Sequence, residues 1–122
     1  MNNTPKELVE VWIAAANAAD LEAFAACFAP QARVVDAGSE YSGLEAIKCW
    51  AERDIAAVNL RLELLDLREQ DGETTFITRV DGDFDKTGLP DPVLIHNRAV
   101  IRQGRIERLT CRLHAPDTGR AG

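Results

Sequence analysis

Histidine and cysteine are scarce in this chain of 122 residues, with two of the first and three of the second. Cys27, Cys49 and Cys111 are odd in number and far apart, and no Cys-x-x-Cys pair occurs. That spacing excludes a zinc finger or ribbon and argues against a disulfide framework. The thiols are expected to be small, buried apolar groups in a reducing compartment. Excess positive charge is also missing. The net charge is −6, so nucleic acid, whose phosphates demand a basic face, is not an expected partner. Arg98, Arg102, Arg105, Arg108 and Arg112 cluster late, but a strand-borne arginine row reads as a solvated face or a subunit contact. No apolar run approaches the roughly 18–20 residues of a membrane span. Met1 to Glu7 has no basic segment leading into an apolar one, so no secretory leader is expected and the chain reads as cytoplasmic. A glycine-rich phosphate loop is absent, and neither metal nor cofactor is expected.

What is present is an ordinary globular balance of 46% apolar and 28% charged residues. The length fits one domain over residues 1–122, with a core from about 5 to 114 and a loose tail from Ala115. Thr4-Pro5-Lys6-Glu7 reads as a helix start, with Thr4 as cap, Pro5 in the first turn and Glu7 closing a capping box. Leu8, Trp12, Ile13 and Ala16 then share a helical face. Asp20 caps a short second helix that packs Leu21, Phe24 and Phe28 inward and stops at Pro30. Ala32 to Asp36 is a short strand. Ser42-Gly-Leu-Glu45 predicts a second capping box and a helix to about Val58, with Leu44, Ile47, Cys49, Trp50 and Ile55 on its apolar side.

The period then changes from helical to alternating. Leu60, Leu62 and Leu64 alternate with polar residues, and Leu65 and Leu67 continue on the opposite parity, which predicts a bulge near Leu64–Leu65. Asp71-Gly72 signals a hairpin. Strands are expected over 74–84, 93–101 and 105–114, the last two joined at Gln103-Gly104. Three helices followed by hairpin-linked strands imply an α+β domain: a cone-shaped, curved antiparallel sheet with the helices packed in its concavity.

This arrangement resembles the nuclear transport factor 2-like superfamily, which includes SnoaL-like polyketide cyclases, ketosteroid isomerases and limonene epoxide hydrolase. The stretches that carry the resemblance are Val11 to Asp20, Cys27 to Asp36, Ser42 to Trp50, Gly82-Asp-Phe84 and Gln103-Gly-Arg-Ile106. They span most of the chain. The resemblance implies a small apolar ligand in the cone and a homodimer through the outer sheet face.

It also implies roles for particular residues. Asp36 matches the proton-shuttling carboxylate of the isomerases, at the end of the first strand before a turn. Such chemistry needs a carboxylate partly removed from water and held against a substrate C–H. From the residues alone, Asp36 reads equally as the cap of the turn Asp36-Ala37-Gly38. Asn97 falls, with one residue of slack, where the isomerases carry a protonated Asp, so Asp36 and Asn97 are the candidate catalytic residues. Trp12 takes the place of the isomerase phenol, although its position on the apolar face suits a core residue. Trp12, Tyr41, Trp50, Arg79, Asp81, Ala99, Leu109 and Cys111 are the expected pocket walls. Arg79-Val80-Asp81 resembles the Arg-x-Asp of limonene epoxide hydrolase, but the acid of that triad falls on Cys111. His96 and Arg98 are expected to face outward. The functions implied are a cofactor-independent isomerase or cyclase, a non-catalytic ligand-binding or dimerisation module, or, third, an epoxide hydrolase.

Overall fold

The computed structural model describes residues 4–114. The tail from Ala115 lies outside them. Helix α1 runs Pro5–Asn17. The predicted capping box is formed, with Glu7 N donating to Thr4 Oγ1 at 3.1 Å and Thr4 N to Glu7 Oε1 at 3.0 Å. Leu8, Val9, Trp12, Ile13, Ala15 and Ala16 are its buried face. Helix α2 is Leu21–Ala26, capped by Asp20 as expected. It ends before Phe28, which opens strand β1 (Phe28–Asp36) instead of closing the helix. Pro30 therefore sits inside β1, where the pairing with its neighbour is interrupted between Phe28 and Arg33. An interrupted ladder is where a residue without an N–H can be tolerated.

β1 turns through Ala37 (φ 52°) and Gly38 (φ 87°) into β2, Ser39–Ser42. A two-residue hairpin with a type I′ turn needs positive φ at both central positions. Alanine adopts that conformation rarely, which is why the sequence hides this hairpin. Helix α3 is Leu44–Ala51 and continues into a π-helical turn, Glu52–Ala56. The capping box expected at Ser42 and Glu45 is absent. Ser42 belongs to β2, its hydroxyl donates to Glu40 at 3.4 Å, and the cap position falls on Gly43. Ile47, Trp50 and Ile55 are buried as expected and Ala51 joins them, but Leu44 is only half-buried and Cys49 is exposed.

Strands β3 (Arg61–Gln70), β4 (Glu73–Asp81), β5 (Val93–Arg102) and β6 (Arg105–Leu113) form a meander. The six-stranded order is β2-β1-β6-β5-β4-β3. The sheet is mixed rather than antiparallel throughout, because β1 and β6 run parallel. No hairpin joins these two, so local turn chemistry could not set their sense. The predicted bulge appears as a register shift between Leu64 and Asp66. A second shift lies between Val100 and Ile101; such bulges bend a sheet. Phe24, Phe28, Ile47, Phe76, Ile106 and Leu109 are fully buried between helices and sheet. Side chains of this size each contribute about 1.5–3 kcal/mol on burial.

Candidate functional site

Strand register builds the site. Asp36 on β1 lies beside Cys111 on β6, Cys111 beside Asn97 on β5, and Asn97 beside Phe76 on β4. These residues make a row across the sheet, with neighbouring strands about 4.8 Å apart. Above the row lies a cavity of about 140 Å³. Asp36, Cys111, Asn97, Ile95, Thr78, Val80, Leu62 and Leu60 line it from the sheet side, Trp12 from α1, Trp50 from α3 and Ile55 from the π-helical turn. The walls are predominantly apolar, and the polar groups among them are few enough to be followed one by one.

Asp36 is half-buried, and Trp50 Nε1 donates to its Oδ2 at 3.0 Å. Trp50 is backed by Tyr41, with 6.1 Å between ring centroids. The Tyr41 hydroxyl accepts from Arg53 Nη2 at 2.8 Å, and the same guanidinium is held by both carboxylate oxygens of Asp54. Those two partners hold Arg53 firmly in its charged form. The carboxylate is thus oriented by an indole that is itself wedged in place.

Asn97 is 2% exposed. Its amide nitrogen faces Phe76 O at 3.2 Å, Thr78 Oγ1 at 3.1 Å and Ile95 O at 3.3 Å. Two N–H groups meet three acceptors, so the nitrogen is fully engaged. The role of ligand donor implied by the resemblance would require breaking these bonds. Trp12 packs between Phe24, tilted against it, and Phe76, edge-on to it, with ring centroids 5.4 and 5.9 Å away. Its indole nitrogen is buried without an acceptor, the one such side-chain atom among the described residues. Burial pushes the Cys111 thiol far above its ordinary value, and the nearby Asp36 charge adds to the effect. It is a neutral group here and a poor nucleophile.

The structure brings Asp36, Trp12, Trp50, Asn97 and Cys111 together, and leaves the other expected wall residues elsewhere. Ala99 and Leu109 are 0% exposed in the core and do not border the cavity. Tyr41 lies behind Trp50. Arg79 and Asp81 are on the opposite face of β4, because Thr78 and Val80 take the inward positions. Arg79 pairs with Glu63 at 3.3 Å and Asp81 with Lys86 at 3.2 Å. Donation from Gly82 N–H, reinforced by Lys86, holds the Asp81 carboxyl below its ordinary value. This exposed pair is outside the cavity and has no geometry for activating a water in it. Among the walls not foreseen, Ile95 shares the parity of Asn97 and was legible from alternation. Ile55 was expected on an apolar helix face, but its place in the cavity depends on the π-helical turn. A larger hollow of about 590 Å³ is bordered by Gln31, Arg33, Glu107 and Arg108. It is an open, charged groove in which Arg33 pairs with Glu40.

Residues 9–109 match the SnoaL-like domain family. The chain belongs to that family. Several solved structures resemble this SnoaL-like chain. One, from Sinorhizobium meliloti and described as a "putative polyketide cyclase", is 27% identical, covers 87% of this chain and 94% of its own, and has a TM-score of 0.77. A protein from Catenulispora acidiphila with a ketosteroid isomerase-like fold, solved in complex with trimethylamine, is 24% identical over 90% of this chain and 86% of its own, with a TM-score of 0.75. A cystatin-fold protein from Novosphingobium aromaticivorans is 18% identical over 92% of this chain and 98% of its own, with a TM-score of 0.75. No curated protein matches the SnoaL-like chain. No helix among its described residues is long and apolar enough to cross a membrane.

Proposed function

We propose that this protein binds a small apolar carbonyl compound and moves a proton on it without a cofactor, as an isomerase or cyclase does. The observation that carries this reading is the half-buried Asp36 carboxylate, fixed by Trp50, in the wall of an otherwise apolar cavity. In the proposed step Asp36 takes a proton from the carbon beside the carbonyl. The C–H bond breaks, an O–H bond forms on Asp36, and the electron pair moves into the enolate. Asp36 then returns the proton to another carbon, or the enolate carbon attacks a second carbonyl, whose π bond breaks as the ring closes, and the resulting alkoxide takes the proton back from Asp36. Trp12 borders the cavity and its enclosed Nε1–H has no partner, so a small shift of the ring would offer that donor to the developing oxyanion. A positioned base of this kind contributes about 10²–10⁴-fold. The likeness to a protein described as a "putative polyketide cyclase" is in keeping with this chemistry.

The test is exchange of the α-hydrogens of cyclohexanone in D₂O, followed by ¹H NMR. The wild-type protein is expected to accelerate exchange, and Asp36→Asn to lower the acceleration by about 100-fold or more. Exchange no faster than in buffer, for cyclohexanone and a panel of similar ketones, would sink the catalytic reading. One observation favours a non-catalytic ligand-binding or dimerisation module instead. The engaged nitrogen of Asn97 leaves one donor for an oxyanion, where the resemblance implies two. Saturable binding without exchange is the signature of that module.

A homodimer through the outer sheet face belongs to the same proposal. Ile77, Leu94 and Val100 are half-buried apolar groups on that face. Sedimentation equilibrium should give twice the 13.4 kDa chain mass.

A further inference from the structure

We infer that the ligand of this cavity carries a hydrogen-bond donor beside its carbonyl, a hydroxy- or enol-bearing carbonyl compound rather than a simple ketone, and that Asn97 Oδ1 selects it. The inference rests on the proposed ligand-binding role of the cavity and goes beyond it.

The orientation of the Asn97 amide is decided by its surroundings. The carbonyl oxygens of Phe76 and Ile95 only accept, so the side-chain nitrogen must face them, at 3.2 and 3.3 Å. Thr78 Oγ1, at 3.1 Å, takes a share of the same nitrogen. The oxygen is left on the other side. It meets no protein donor among the described residues, and unlike the enclosed Trp12 nitrogen it keeps accessible surface, in a side chain that is 2% exposed and lines the cavity.

Asp36 adds a second acceptor, because Trp50 occupies only its Oδ2. Trp12 adds one unpartnered donor. Apart from the Thr78 hydroxyl, whose oxygen is taken by the Asn97 nitrogen, the hydrogen-bonding groups of the cavity are therefore one donor and two acceptors. A simple ketone answers the donor alone and leaves the Asn97 oxygen buried against hydrocarbon. A hydroxyl on the neighbouring carbon answers both. Sites built to hydrogen-bond a hydroxyl discriminate strongly against analogues that lack it, because their own buried polar groups are then left unpaired. The cavity volume, about 140 Å³, suits a single six-membered ring, since a dry cavity of about 150 Å³ takes up benzene.

The experiment measures the affinities of cyclohexanone, 2-hydroxycyclohexanone and 2-methoxycyclohexanone for the full chain by calorimetry. The Trp indole and Asn97 side-chain signals are followed in parallel by ¹H–¹⁵N NMR. The hydroxyketone is expected to bind at least about 10-fold more tightly than either of the others. That preference should survive Asp36→Asn and disappear in Asn97→Leu. Where a variant fails to fold, the wild-type affinities decide whether the hydroxyl is preferred, and Asn97 side-chain signals that shift with the hydroxyketone alone decide whether Asn97 is its partner. Equal affinities for the three probes overturn the inference, as does a preference lost in Asp36→Asn but kept in Asn97→Leu. Accelerated α-hydrogen exchange together with equal affinities removes the role of Asn97 and leaves that of Asp36 standing. Failure of all three probes to bind removes both.

Discussion

The two tryptophans of this chain border the same cavity in opposite states. Trp50 donates its N–H to Asp36, while that of Trp12 is buried without a partner. Replacing Trp50 by Phe keeps an aromatic ring between Phe24 and Tyr41 but removes a hydrogen bond to a charged group. The expected loss is about 1.5–3 kcal/mol in urea unfolding, accompanied by disappearance of the downfield indole NMR signal. The cysteines differ just as sharply. Burial pushes the Cys27 thiol up to about 11 and that of Cys111 further still, whereas Cys49 is exposed. A maleimide should therefore modify Cys49 in the folded protein and reach Cys27 and Cys111 only after unfolding, as peptide mass mapping would show. Two rapidly labelled sites would contradict the packing described. Asp36 follows Ala32 and Val34 on the inward parity of β1, but from the residues alone it reads equally as a turn cap, and its place in the site is what the family resemblance implies. Arg79 and Asp81 were misplaced by one residue, and in a strand one residue exchanges the two faces.

Between elements, two contacts join parts of the chain that sequence patterns treat separately. Asn17, at the end of α1, donates to Leu62 O at 3.0 Å and accepts from Leu62 N at 2.7 Å. Its side chain acts as a one-residue strand partner for β3. Asn17→Ala should cost about 1–3 kcal/mol in a denaturant titration, since both backbone groups of Leu62 lose their partner in a half-buried setting. Gly82 follows β4 with φ 154°, and a Cβ there would lie 2.9 Å from the backbone oxygen of Val58. The obstacle is backbone and cannot rotate away. Gly82→Ala should destabilise by about 1–3 kcal/mol by overpacking, read as a lowered unfolding midpoint. The capping box of α1, the Asp20 cap and the bulge near Leu64 were all visible in the sequence, because each is local chemistry. Strand β2 was not, since its turn uses Ala37 at positive φ. The end of α2 was missed because Phe28 is 2% exposed and would serve the core from a helix or a strand.

On the scale of the whole molecule, the outer sheet face carries a histidine whose titration reports folding. His96 stacks on His114 with 6.3 Å between ring centroids. Partial burial, then the charges of Arg112, His114 and Arg98, lower its value from 6.5. The folded state therefore refuses a proton that the unfolded chain accepts below about pH 6.5. Stability should fall as the pH drops from 7.5 to 5.5 and stay level above 7. His96→Gln should flatten that slope in urea midpoints, with His114 common to both proteins. An unchanged slope would mean that His96 is as free to charge in the fold as outside it.

Composition, capping signals and the change from helical to alternating period determined the class of this protein and the order of its elements other than β2, because these are written in neighbouring residues. Only the tertiary structure decided that β1 and β6 run parallel, that Trp50 rather than a turn amide holds Asp36, and that Asn97 turns its nitrogen into the sheet. Each of these depends on groups that long-range register brings together, and no window of sequence contains both partners.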